Sequence, residues 1–190
     1  MAGLVLAGGE SRRMGSPKAL LDWRGEPLLA HVCAVVGEVA DPVIAVAAAD
    51  QELPSLPGVR VARDRRPGLG PLEALAAGLA ALPHHIPAAL VCPVDVPLLE
   101  PATLRGLTAA LEPDDLAVAT AEGGRVRPLP GVYRVTLADV AERLLAGGER
   151  RLGAVLAEGT TRILAVSDLP QPGSLENVNT PEELEAARRR

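Results

Sequence analysis

Seven short apolar runs, at 3–7, 42–48, 59–62, 88–92, 116–120, 131–134 and 161–166, alternate with longer amphipathic stretches. Apolar runs of this length, closed off by Gly, Pro or acidic residues, read as buried strands. The stretches at 27–40, 71–82, 101–111, 136–146 and 149–157 read as helices, and a last one opens at Thr180 with Pro181 and acids in its first turn. Strands alternating with helices predict a mostly parallel central sheet covered by helices on both faces. In such a sheet, ligands bind outside the carboxyl ends of the strands, so each loop that follows a strand is a candidate for function.

Composition narrows what those loops can bind. The chain has 190 residues, long enough for one domain with a sizeable core, and 48% of them are apolar. Trp23 and Tyr133 are its aromatics, so the core is built from Leu, Val and Ala, and no stacking platform for single-stranded nucleic acid exists. A net charge of -5 argues against a nucleic-acid partner. No apolar run approaches a membrane-spanning length, and the start of the chain lacks the pattern of a signal peptide. Cys33 and Cys92 make no metal-ligand spacing and read as two reduced thiols of a cytoplasmic protein. Of the 19 basic residues 18 are Arg, which makes the lone Lys18 conspicuous: an ammonium is a compact point charge that a guanidinium does not replace.

Lys18 closes the first motif, Leu6-Ala7-Gly8-Gly9-Glu10-Ser11-Arg12-Arg13-Met14-Gly15-Ser16-Pro17-Lys18. Its glycines allow the backbone to turn sharply and bring N–H groups close to phosphate oxygens, while Arg12, Arg13 and Lys18 add positive charge. A triphosphate site needs that combination. The spacing matches neither the G-x-x-x-x-G-K-S/T loop nor the G-x-G-x-x-G dinucleotide fingerprint.

Three further segments follow strands or precede the last helix. Asp95, in Cys92-Pro93-Val94-Asp95-Val96-Pro97, sits where a strand ends and suits a hard cation such as Mg2+ that bridges triphosphate oxygens. Asp64 opens a Gly/Pro loop, 64–71, that reads equally as an approach to a base or sugar and as an ordinary strand–loop–helix junction. Asn177 and Asn179 alternate on one side of an extended segment. They serve an acceptor phosphate or a metal-bound water, or else plain turn chemistry. His31, His84 and His85 fall outside these motifs and read as bystanders.

Taken together, L-A-G-G-x-S-x-R-M-G-x-x-K, the later P-x-D-x-P and the terminal N-V-N-T-P-E-E-L resemble the molybdenum cofactor guanylyltransferases, from Leu4 to about Leu184. The resemblance implies a single Rossmann-like nucleotidyltransferase domain over 1–190, an α/β fold. It also implies transfer of GMP from GTP to the phosphate of molybdenum-bearing molybdopterin, with Mg2+ as cofactor. Leu6, Ala7, Gly8, Gly9, Lys18, Asp64 and Asp95 would bind the nucleotide, with Asp95 the metal ligand and Lys18, Asp95 and Arg13 catalytic. Arg151, with Arg150 beside it, would face the acceptor with Asn177 and Asn179. Other molybdenum-cofactor proteins are the expected partners. Ala7-Gly8-Gly9 resembles the guanylyl rather than the cytidylyl branch. Two positions depart from the pattern: Glu73-Ala74 where many relatives have Ala-Gly, and Arg127-Pro128 where many have His-Pro. These departures bear on the acceptor more than on the nucleotide. The competing readings are the same chemistry on another phosphate acceptor, and a non-catalytic nucleotide-binding module.

Overall fold

Chain order is β1 (Ala2–Leu6), β2 (Asp22–Trp23), β3 (Glu26–Pro27), α1 (Leu28–Gly37), β4 (Val43–Ala47), β5 (Arg60–Arg63) and α2 (Pro71–Ala80). Then come β6 (Ala88–Pro93), α3 (Pro101–Ala109), β7 (Ala117–Glu122), β8 (Arg125–Arg134), α4 (Leu137–Ala146), β9 (Thr161–Ala165) and α5 (Pro181–Arg188). The computed structural model describes residues 1–8 and 16–190.

Seven strands form one sheet in the order β5-β4-β1-β6-β8-β7-β9. β5, β4, β1 and β6 pair in parallel, as do β7 and β9, while β8 runs antiparallel to both of its neighbours. The mostly parallel α/β sheet expected from the alternation, Rossmann-like as the resemblance implies, is therefore what the chain adopts, with one reversed strand in the sheet.

Each face of the sheet carries its own core. On one face Leu28, Leu29, Val32 and Val36 of α1 pack with Leu104 and Leu107 of α3 and Leu184 of α5. On the other, Leu72, Leu75 and Leu79 of α2 meet Leu137, Ala141 and Leu145 of α4. β1 lies between the two, buried along its whole length. It sits close under α1: a Cβ on Gly3 would lie 2.3 Å from Val36 Cγ1, so only glycine admits this approach.

Three elements differ from expectation. The strand predicted at 131–134 begins at Arg125, because β7 and β8 form a hairpin through Gly123 and Gly124, both at positive φ. A second small hairpin, β2–β3, turns at Arg24 and Gly25, again both at positive φ. The helix predicted at 149–157 is a 3-10 segment, Leu152–Ala157. The chain upstream breaks at Gly148 (φ 92), and the Glu149 carboxylate accepts the N–H groups of Arg150 and Arg151, so only a short 3-10 stretch remains before Gly159. The helix opening at Thr180 is as predicted, since the Thr180 hydroxyl accepts the N–H of Glu183 at 3.2 Å.

Candidate active site

The parallel strands β5, β4, β1 and β6 deliver their carboxyl ends to one edge of the sheet. There a cleft of about 1000 Å³ opens, lined among others by Leu6, Gly8, Ala48, Gln51, Asp64 and Pro93. The crevice lies beside the point where the connections turn from one side of β1 to the other. Backbone use in the first loop is specific. Ala7 N–H donates to Val46 C=O at 2.8 Å, and Ala7 C=O accepts from Gln51 Nε2 at 2.8 Å. The same Gln51 amide accepts Ala48 N–H at 3.1 Å through Oε1, so one side chain clips the loop after β1 to the loop after β4. Among the described residues, Gly8 is the first in this loop whose N–H is left for a ligand.

Asp64 follows β5 directly, and its N–H donates to Ala47 C=O at 2.9 Å. Its Oδ1 is buried without a hydrogen-bond partner among the described residues. Burial first, and the nearby Glu73 carboxylate second, push the Asp64 carboxyl up to about 6. A carboxylate held in this way favours a ligand that donates N–H or O–H groups to it.

At the end of β6 a second set of side chains converges. Lys18 Nζ donates to Asp95 Oδ2 at 2.7 Å and to Asn179 Oδ1 at 2.9 Å. Asn177 Nδ2 donates to Asp95 Oδ1 at 2.7 Å. The Asn177–Asn179 segment is anchored there by its own backbone, since Val178 N–H donates to Asp95 C=O at 2.8 Å. The lone lysine, the strand-end aspartate and both asparagines, far apart in sequence, thus form one cluster. Leu6, Gly8 and Asp64 line the cleft, while Ala7 sits behind it. Gly9 and Arg13 lie outside the described residues.

Arg151 stands apart from this group. It pairs with Glu149 at 2.8 Å and its side chain is 84% exposed. The loop that carries it does reach the cleft's rim: a Cβ on Gly70, which lines the cleft, would lie 3.6 Å from Arg150 C=O.

Three residues that the motifs left out hold the site together. Gln51 is the clip described above. His31 Nε2 donates to Pro97 C=O at 3.0 Å, tying α1 to the loop that carries Asp95. Arg127 donates to the Asn177 Oδ1 and, at 3.0 Å, to Leu175 C=O. None of the three lies in a glycine-rich or acidic motif. The available signal was the unusual Arg127 at a position where a resemblance predicted His.

Residues 3–162 match the family described as MobA-like NTP transferase domain. The chain belongs to this family. It is 41% identical over 184 residues to a protein of Mycobacterium tuberculosis H37Rv named "Probable molybdenum cofactor guanylyltransferase", a match that covers 95% of this chain and 89% of that protein. Among solved structures, the molybdopterin-guanine dinucleotide biosynthesis protein A of Archaeoglobus fulgidus superposes with a TM-score of 0.79 at 23% identity, covering 100% of this chain and 97% of its own. A Mycobacterium tuberculosis H37Rv protein solved with manganese superposes with a TM-score of 0.64 at 22% identity, covering 86% of each chain. The family makes this chain a nucleotidyltransferase.

Proposed function

We propose that the chain transfers GMP from GTP to the terminal phosphate of molybdopterin carrying molybdenum, releasing pyrophosphate. The observation that carries the reading is the Lys18 ammonium held between Asp95 Oδ2 and Asn179 Oδ1 beside the cleft. An oxygen cradle that already holds one cation suits a second, harder one. Among the described residues no group of three or more His, Cys, Asp and Glu could hold a metal ion. Asp95 would hold the ion, in our reading Mg2+, once the nucleotide is bound. Such an ion neutralises charge on the phosphates when it is bound.

The chain's residues do the rest. Gly8, and in this reading Gly9 and Arg13, cradle the phosphates, with Leu6 and Ala7 forming the wall behind them. Lys18 turns from Asp95 to the triphosphate and follows the charge that develops as pyrophosphate leaves. Asp64 accepts N–H groups of the nucleoside. Asn177 and Asn179 orient the acceptor phosphate, and Arg151, on the loop whose Arg150 C=O approaches the cleft's rim, swings in to close on it. The attacking oxygen belongs to a phosphate that is already anionic, so positioning suffices and no general base is needed. Two free, buried cysteines suit the reducing cytoplasm as the setting, and other molybdenum-cofactor proteins are the partners that would supply and receive the pterin.

Calorimetry with Mg2+ present, comparing GTP with CTP, ATP and UTP, tests the nucleotide. GTP preference is the expected result, and a CTP preference would move the protein to cytidylyl transfer. Pyrophosphate release on adding molybdopterin then tests the acceptor, and binding without release would leave a nucleotide-binding module.

A further inference from the structure

We infer that Arg127 is a positioning residue for this reaction: through Asn177 it fixes the Asp95 carboxylate that receives the metal ion. The inference rests on the role proposed above for Asp95.

The argument begins with what each group can do. A guanidinium has donors and no acceptor, and an ionised carboxylate has acceptors and no donor. Asn177 stands between the two, its Oδ1 taking an N–H from Arg127 and its Nδ2 giving one to Asp95 Oδ1 at 2.7 Å. Only one orientation of the amide satisfies both neighbours. The flipped one would set a carbonyl against a carboxylate and an NH2 group against a guanidinium. Arg127 is itself immobilised. Its two terminal nitrogens reach Glu122 at 2.8 Å and Leu175 C=O at 3.0 Å, and its side chain is 23% exposed. Lys18 takes the other oxygen of Asp95 at 2.7 Å, so the carboxylate is gripped from both sides. When Lys18 turns to the nucleotide, the Arg127–Asn177 arm alone keeps the plane of Asp95 in place.

The fold brings Arg127 to this spot by two devices. β8 runs against its neighbours, so its first half lies at the edge where β6 and β7 end. Its register with β7 then shifts between Val118 and Thr120, the signature of a bulge, which redirects the side chains beside it. The backbone is close there: a Cβ on Gly131 would lie 2.7 Å from both Pro128 C=O and Val118 C=O. The Tyr133 hydroxyl donates to Pro128 C=O and closes the bend from below.

Mn2+ binding to the GTP complex, followed by electron paramagnetic resonance, reads the Asp95 site without turnover. Arg127→Ala is expected to weaken Mn2+ about tenfold, the size of effect seen when a ligand's supporting partner is removed. Arg127→Lys should recover part of the loss, because one N–H can still reach the Asn177 Oδ1. In an Asn177→Ala background, Arg127→Ala should cost nothing more, because the arm is already cut. If Arg127→Ala folds poorly, Arg127→Met, which keeps the length of the side chain and has no donor, replaces it and should show the same loss. Unchanged Mn2+ affinity in Arg127→Ala, with a raised KM for the acceptor, would overturn the inference and make Arg127 an acceptor contact. Additive losses in the double variant would overturn it too. Asp95→Asn separates the two levels of argument. If that variant keeps wild-type Mn2+ binding, the reading of Asp95 fails, and the inference goes with it. If Asp95→Asn loses the ion while Arg127→Ala keeps it, the arm alone is wrong.

Discussion

Lys18 is the residue on which chemistry and sequence bias agree most directly. In a chain that uses Arg for every other cation, an ammonium was kept where two oxygens, from Asp95 and Asn179, converge at 2.7 and 2.9 Å. A planar guanidinium does not fit between two such acceptors as a point charge does. Lys18→Ala and Asp95→Ala should therefore each lower turnover by about 100-fold or more, with unchanged circular dichroism. Lys18→Arg should fall nearly as far, and full activity in that variant would show that charge alone is required. Asp64 presents the opposite case, a group at odds with the free protein. Its carboxyl is raised to about 6, so the folded state binds the proton more tightly than the unfolded chain, and its contribution to stability declines as pH rises from about 4 to 6. A nucleotide that donates to the ionised form releases that proton. GTP affinity should thus rise with pH up to about 6 through this group and level off above it. Asp64→Asn should remove this component of the profile and weaken GTP, while raising Tm at pH 7. Calorimetric titrations of both proteins from pH 5 to 8 would check it, and identical profiles would exclude Asp64 from nucleotide binding.

At the scale of elements, the parallel half of the sheet was legible and the reversed strand was not. β1, β4 and β6 announce themselves as apolar runs because both of their faces are buried. The first half of β8 carries Arg125, Arg127, Pro128 and Pro130, which no periodicity marks as a strand; its pairing comes from the turn before it. Gly123-Gly124 was the available signal, since two residues at positive φ between alternating segments make the tight hairpin turn. The active-site motifs were readable because glycines and lone charges at strand ends leave few structural alternatives. The supports were not: Gln51, His31 and Arg127 act through contacts between distant loops, which spacing along the chain does not encode. Gln51→Ala tests one such support. It strips partners from Ala7 C=O and Ala48 N–H, so stability should drop by about 1–2 kcal/mol. GTP affinity should fall with it while saturated kcat stays close to normal, because the clip shapes the loop without touching reacting atoms. The 64–71 loop has an equivalent anchor in Glu73, fully buried at the start of α2. It accepts Arg65 N–H at 3.1 Å and Arg66 Nε at 2.9 Å. Glu73→Gln should lower Tm. It should also move the Asp64 midpoint, read from the same GTP profiles, toward lower pH, because the Glu73 charge is the second cause of its elevation.

At the scale of the whole molecule, our reading divides the reaction between the two halves of the sheet. The parallel strands β5, β4 and β1 present Asp64, Gln51 and Gly8 to the cleft, the nucleotide side of our reading. The antiparallel hairpin β7–β8 and the segment before α5 present Glu122, Arg127, Asn177 and Asn179 beyond β6. β6 stands between them, and its end carries Asp95, a carboxylate touched from both sides: by Lys18 from the first loop and by Asn177 from the last. In our reading Asp95 would hold the cation there, where it would supply charge neutralisation for the phosphates that the reaction joins. The division predicts an asymmetric response to ligands. GTP with Mg2+ should slow amide hydrogen exchange in 44–51 and 62–72, at the carboxyl ends of β4 and β5 and their loops. It should leave 120–128 and 171–176 near their free-protein rates until the pterin phosphate is added. The switch should run through 94–97, protected by either substrate. If GTP alone protected the hairpin and the segment before α5 as strongly as the cleft, donor and acceptor would not occupy separate halves. Asp95 would then be a nucleotide ligand only.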